Sequence, residues 1–321
     1  MDSRPDRAAL IDVRIHAARY EAERVLSFEL RRVDGEDLPS WTPGAHLNIH
    51  LPSGATRQYS LSSDNHDLSH YRIGVLKVVN GRGGSSELHQ LRVGTVVQIT
   101  APVNTFPLDS DRGALLLAGG IGITPILAMA RELSRRGNPS SIVYAGRALE
   151  TMAFLEEVRE VSTSAIIMAG NEHGRPDFDT LIDAHPGVPV YACGPTGMLD
   201  AVKAASERAG AELRIERFAP EVLAAQEVDE QSAPEFSVRL TRAGQFVGVR
   251  PGVSILEAVR DSGVSVDSSC EMGVCGTCET RVLKGRVDHR DMLLSPDERE
   301  RGDTMMICVS RSKGGDLELD L

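Results

Sequence analysis

Four of the five cysteines fall toward the C-terminal end of the chain. Cys270, Cys275 and Cys278 stand at C-x4-C-x2-C spacing in SSCEMGVCGTCETRVLKG, and Cys308 follows in MICVSRSKGG after a further 29 residues. The start, MDSRPDRAALIDVR, lacks the apolar core of an export signal. Thiols grouped so tightly without such a signal favour metal or cluster ligation over disulfides. Three thiolates from one loop and a distant fourth suit a [2Fe-2S] cluster. The loop must curl around the metal, and Gly273 and Gly276 supply the backbone freedom for it. Structural zinc is the competing reading, but zinc ribbons usually present two C-x2-C pairs and here there is one.

A second constellation lies upstream, where HLNIHLPSGATRQYSLSSD carries Arg57-Gln58-Tyr59-Ser60-Leu61. A flavin needs a flat wall, polar groups near its ring nitrogens and donors for its phosphate. Tyr59 can pack on the ring, Ser60 can reach N5, and Arg57 can meet phosphate with a forked pair of hydrogen bonds. A strand with Arg, Tyr and Ser is also ordinary half-exposed sheet. Downstream, NGRGGSSELHQLRVG places Arg82 before a turn at Gly83 and Gly84, with Ser85 and Ser86 beginning a helix. Amides and hydroxyls at a helix start, beside an arginine, suit a terminal phosphate. Without Arg57 to Leu61 the same residues read as an N-capped helix after a glycine turn. Spacing leaves FMN and FAD both open.

The third constellation suits a nicotinamide dinucleotide. In LLLAGGIGITPILAMA a buried strand meets a turn through Gly119, Gly120 and Gly122, then Thr124 and Pro125 at a helix start. Pro125 stands where G-x-G-x-x-G would place its last glycine. In YACGPTGMLD a strand ends at Cys193-Gly194-Pro195 and a helix follows. Open α/β sheets bind ligands at such strand ends, although Cys193 also reads as a small buried thiol. Beyond the second strand, Arg147 could meet a 2′-phosphate, whereas Glu150 favours a free ribose hydroxyl.

The elements that must hold these residues follow from the rhythm of the chain. Up to Pro107, short alternating runs such as VLSFELRRV and YRIGVLKVV are broken by Gly, Pro, Asn and Asp turns, which predicts an antiparallel sheet or barrel. From Gly113 buried strands alternate with helices, as in SIVYAG and ETMAFLEEVRE, which predicts a parallel, doubly wound sheet. The acidic, weakly patterned EVLAAQEVDEQSAP reads as a linker. FSVRLTRAGQFVGVR then predicts a hairpin and SILEAVRDSG a short helix. The chain thus reads as multidomain: a β-barrel over 1–110, an α/β domain over 111–222, a linker over 223–234 and an α+β domain over 235–321. A net charge of −11 over 321 residues opposes nucleic-acid binding. No stretch is apolar for the roughly 18 residues that suggest a membrane span, so a cytoplasmic, monomeric protein is expected.

The cysteine loop, VDHRDMLLS, the ending LELDL, the Arg57–Leu61 run, the C-G-P triplet and RIERFAP together resemble the phthalate dioxygenase reductase family, which includes vanillate demethylase reductases. The resemblance covers nearly the whole chain. It implies a ferredoxin-reductase-like flavoprotein with a C-terminal plant-type, β-grasp ferredoxin domain, and FMN and NADH as partners in the chemistry. It also implies that Cys193 lies near the hydride-transferring carbon and that Phe218 and Glu216 lie against the flavin. Electrons would run from NADH through FMN and the cluster to a separate Rieske non-haem iron oxygenase acting on an aromatic acid. A cytochrome acceptor, or a redox sensor that binds the groups without turnover, are the alternatives.

Overall fold

The structure is a computed structural model that describes residues 10–78, 83–162, 164–218, 235–268, 273, 276–291, 293–294 and 296–321. It comprises two compact units, one reaching to Phe218 and one made of the residues beyond. The segment expected as a linker, 223–234, lies outside the described residues.

The first unit opens with strands β1 (Ile11–Ala22), β2 (Val25–Arg32), β3 (Ala45–His50), β4 (Thr56–Ser60) and β5 (Tyr71–Leu76), helix α1 (Gly84–Leu88), and strands β6 (Val96–Ile99) and β7 (Val103–Asn104). They form one antiparallel sheet in the order β4-β3-β6-β1-β2-β5, with β7 beside β3. A bridge from Leu61, just past β4, to Ile73 on β5 joins the two ends. Period-2 alternation explains why these segments are strands: on β5, Tyr71, Ile73 and Val75 point into the barrel and are fully buried. Arg72, Gly74 and Leu76 therefore face outward.

The parallel sheet follows, with β8 (Ala114–Gly119), a 3-10 turn (Gly120–Gly122), α2 (Ile123–Arg136), β9 (Ser140–Gly146), α3 (Leu155–Val161), β10 (Ile166–Ala169), α4 (Gly170–His173), α5 (Phe178–Asp183), β11 (Val190–Cys193), α6 (Thr196–Ala209) and β12 (Leu213–Glu216). Its strand order is β10-β9-β8-β11-β12. Every residue of β8 is buried because helices cover both faces. Leu116 and Ala118 pack with α2, whereas Leu115 and Leu117 pack with α5 and α6. Barrel and sheet share core: Ala22, Val25 and Phe106 join the α2 cluster, and Ala128 of α2 joins the barrel's.

The second unit contains β13 (Phe236–Leu240), β14 (Gln245–Val249), α7 (Ile255–Asp261), β15 (Glu279–Lys284), β16 (Val287–Asp288), α8 (Pro296–Arg301), β17 (Thr304–Met306), β18 (Arg311–Ser312) and β19 (Leu317–Leu319). The main sheet, β14-β13-β19-β15-β17, is mixed, with β13 and β19 parallel. Helix α7 starts where Ser254 and Glu257 form a reciprocal capping box. It lays Ile255, Leu256 and Val259 on Val238, Val249 and Leu317. No helix among the described residues is long and apolar enough to cross a membrane.

Candidate functional site

Among the described residues, strand β4 pairs with β3 alone over Thr56–Ser60, which leaves its other edge without a strand partner. Alternation puts Arg57 and Tyr59 on one face and Gln58 and Ser60 on the other, and a ligand lying along the open edge can touch both. Tyr59 packs half-buried against the barrel core, and burial pushes its phenol up. Arg57 lies across the start of α1: a Cβ added at Gly84 would fall 2.3 Å from Arg57 Nε and 2.7 Å from its Cγ. Its Nη1 donates to the Thr56 carbonyl at 2.8 Å. Gly83, at φ 80, leaves its open side clear of other atoms. Ser85 and Ser86 meet the expected helix start, but their hydroxyls hold the chain before the turn. Ser85 Oγ accepts from the Val78 amide at 3.1 Å, and the Ser86 hydroxyl donates to the Val78 carbonyl at 3.4 Å. Arg82 lies outside the described residues.

At the switch in strand order, the ends of β8 and β11 meet. Their glycines serve this meeting first. A Cβ at Gly122 would fall 2.2 Å from the Cys193 carbonyl oxygen, and one at Gly119 would fall 2.7 Å from Pro195 Cδ and 2.5 Å from Met198 Sδ. Only Gly120, at φ 54, has open space beside it. Ligand approach is the role expected of all three from the sequence; two of them, Gly119 and Gly122, also allow the close contact between the loops. Thr124 and Pro125 are buried in the first turn of α2, where the Thr124 hydroxyl donates to the Ile121 carbonyl at 3.1 Å. Arg147 and Glu150 are both exposed beyond β9, and the Arg147 carbonyl accepts from the Asn171 amide at 3.0 Å.

Cys193 on β11 pairs in register with Glu216 on β12. The thiol is fully buried, and burial, with the Glu216 carboxyl second, pushes it well above its ordinary value. It is therefore a neutral thiol at pH 7. Burial likewise pushes the Glu216 carboxyl up to about 8, while the Ser60 hydroxyl across from it acts in the opposite direction. Among the described residues, neither Ser60 Oγ nor Glu216 Oε2 completes a hydrogen bond, and Gln58 Oε1 is also buried without one. Buried polar atoms without partners are costly. Three of them along the open edge of β4 and the end of β12 fit a ligand with ring nitrogens and carbonyls. Phe218, partly buried, packs against the α2 cluster just beyond Glu216.

The Glu216 carboxyl also makes stability depend on pH. Its pKa is raised on folding from 4.5 to about 8, so the folded state keeps a proton that the unfolded state loses between those values. The contribution is full below pH 4.5 and is lost as pH rises to about 8. Glu216→Gln should flatten that decline. Melting temperatures at pH 5 and pH 8 should converge in the variant relative to wild type, and an unchanged difference would show that the carboxyl is not held neutral.

In the second unit, Cys278 and Cys308 are both buried in the core. Antiparallel pairing of β15 with β17, Glu279 opposite Met306, brings them to one end of that ladder, where the Ile307 amide reaches the Cys278 carbonyl at 3.5 Å. Cys270 and Cys275 lie outside the described residues. The sequence reading missed Asp291, whose buried carboxylate accepts from the amides of Leu293 at 3.2 Å and Leu294 at 2.9 Å and from the Ser310 hydroxyl at 3.4 Å. A Cβ at Gly273 would fall 3.0 Å from Asp291 Cα and 2.6 Å from Val309 Cγ2. Asp291 thus ties the segment after Cys308 to the cysteine loop. Only its place in VDHRDMLLS could have signalled it.

The family model described as a 2Fe-2S iron-sulfur cluster binding domain matches residues 238–313. Over 319 residues the chain is 40% identical to the phenoxybenzoate dioxygenase subunit beta of Ectopseudomonas oleovorans, covering 98% of each. It is 40% identical to the vanillate O-demethylase oxidoreductase of Pseudomonas sp. (strain HR199 / DSM 7063), covering 97% of this chain and 100% of that one. Among solved structures it matches phthalate dioxygenase reductase, described as a modular structure for electron transfer from pyridine nucleotides to [2Fe-2S]. That match has a TM-score of 0.86 at 36% identity, over 99% of this chain and 100% of that one.

Proposed function

The chain belongs to the phthalate dioxygenase reductase family, and from that premise we propose that it is the NADH-dependent reductase of a Rieske non-haem iron oxygenase that acts on an aromatic acid. One observation carries the reading most. Ser60 and Glu216, whose buried oxygens lack partners among the described residues, converge with Cys193 in one unit, beside cysteines at [2Fe-2S] spacing in the sequence of the other.

When bound, a flavin would exchange a hydride for single electrons, which a [2Fe-2S] cluster carries one at a time. The protein's own groups bind and orient. Arg57 and the turn at Gly83 and Gly84 supply cationic and amide donors to a terminal phosphate, which favours FMN. Ser60 and Glu216 offer a hydroxyl and a proton-bearing carboxyl along the ring edge. Cys193 stays neutral, so it places no charge where hydride must pass. The Gly120 opening and Thr124 seat the nicotinamide, with Arg147 and Glu150 at the ribose end. Cys270, Cys275, Cys278 and Cys308 supply the four thiolates.

The test combines the purified protein, NADH and a purified Rieske oxygenase under anaerobic conditions. The oxygenase's Rieske absorbance should bleach rapidly with NADH and slowly with NADPH, and flavin released by heat should be FMN. A Rieske absorbance that stays unbleached while the same protein and NADH rapidly reduce cytochrome c would overturn the partner, and released FAD would overturn the flavin.

A further inference from the structure

Gly74 sits in the middle of β5, paired with Ser27 in an ordinary extended ladder and without a positive φ. Glycine weakens a strand interior, so its presence there marks the close approach of something else. A Cβ at Gly74 would fall 2.7 Å from Thr124 Cγ2 and 3.0 and 3.1 Å from Phe154 Cε2 and Cζ. Thr124 belongs to the turn assigned above to the nicotinamide. Phe154, buried just before α3, holds a left-handed backbone at φ 60, ψ 24. A bulky residue rarely adopts that conformation, and such strain persists only where its surroundings impose it. They do so here. Arg72, two residues before Gly74 on the same outward face, lies 5.0 Å from the Phe154 ring centroid. It also grips Glu157 of α3 through two hydrogen bonds, at 2.8 and 2.6 Å. Arg131 of α2 reaches the same carboxylate.

This seam adjoins the flavin edge. Leu61, next to Ser60, bridges to Ile73, next to Gly74, and the Ser62 amide donates to the Arg72 carbonyl at 2.8 Å. Ser60 on one side and Thr124 on the other are therefore set against the same stretch of β5. We propose that Gly74 and Phe154 are positioning residues that fix the distance between nicotinamide and flavin: the missing side chain lets the Gly119–Pro125 turn seat directly on the barrel, and the Phe154 ring stops it from sliding. The inference rests on the function proposed above. Hydride transfer needs reacting atoms within about 3 to 3.5 Å, and a displacement of roughly 1 Å can cost about a hundredfold in rate.

The test is stopped-flow reduction of the flavin in the full-length protein over a range of NADH concentrations. Gly74→Ala should lower the limiting rate by about ten- to a hundredfold, leave the Kd for NADH near wild type and weaken the charge-transfer absorbance between reduced flavin and nicotinamide. Adding Thr124→Ser removes the obstructing methyl but keeps the hydroxyl, so the double variant should be faster than Gly74→Ala alone. A residue that merely cements the halves would lower thermal stability and flavin content and leave the limiting rate and the charge-transfer band unchanged. That result, or a double variant no faster than the single one, overturns the proposal. If Gly74→Ala does not accumulate as a flavoprotein, Phe154→Leu is read the same way, with a slower limiting rate expected and an unchanged one decisive against. Wild-type flavin that NADH does not reduce would bring down the proposed function and this inference with it. A normal wild type with a normal Gly74→Ala brings down only the inference.

Discussion

Ending the chain just after Phe218 should leave a flavoprotein that reduces ferricyanide with NADH at close to the full-length rate but reduces cytochrome c only at background. The physical basis is the separation of cores. Among the described residues, the barrel and parallel-sheet clusters are built from residues at or before Phe218. The second unit has its own core, from Phe236 to Leu319. Each unit thus has a hydrophobic core of its own, and the shortened chain should fold alone. Ser60, Cys193 and Glu216 all remain. What is lost is the set of thiolates assigned to one-electron exit. Cys308→Ser should give the same split in the full-length chain, with iron content falling, because the altered site is one thiolate short. Equal loss of both activities in the shortened chain would mean that hydride chemistry needs the second unit. Retention of both would mean that electrons leave from the flavin itself.

Much of this was legible because local pattern and tertiary outcome agree. The alternation Tyr71, Ile73, Val75 declared a strand with one buried face, and the unbroken run at Ala114–Gly119 declared one covered on both. SILEAVRDSG announced a short helix, and α7 forms there behind the capping box of Ser254 and Glu257. The cysteine spacing named its chemistry without any fold. What stayed hidden depends on approaches between distant segments. Arg72 and Glu157 are 85 residues apart, and nothing near either one names the other. Glu216 meets Cys193 only through parallel pairing of β11 with β12, so its raised pKa could not be read from RIERFAP. The glycines of GGIG suggest a ligand turn, and nothing in the sequence shows that Gly119 and Gly122 also meet the loop at Cys193–Pro195. Gly74 and the left-handed Phe154 gave no sign, since a glycine in a strand and a phenylalanine before a helix are unremarkable until their neighbours are known.

Arg57→Ala should weaken FMN binding about ten- to a hundredfold, measured by titrating the flavin-free protein and following the quenching of FMN fluorescence. The estimate follows from removing one charge-assisted donor, worth about 1.5 to 3 kcal/mol. The geometry sets Arg57 at this turn. The arginine stem crosses the first residue of α1, where only glycine leaves room, and the guanidinium is steadied by the Thr56 carbonyl at 2.8 Å. Ser85 and Ser86 already use their hydroxyls on Val78, so among the described residues of this turn the neutral donors left are backbone amides. Arg57→Lys should recover part of the affinity, since it keeps the charge and loses the planar fork. Gly84→Ala supplies the complementary test, because its methyl would displace Arg57 without altering any charge, and it should weaken FMN in the same direction. Riboflavin lacks the phosphate, so its affinity should be nearly the same in all four proteins. An equal loss of riboflavin and FMN affinity would place Arg57 at the ring or in the fold of the barrel, and unchanged FMN affinity in both Arg57→Ala and Gly84→Ala would remove the phosphate from this end of β4.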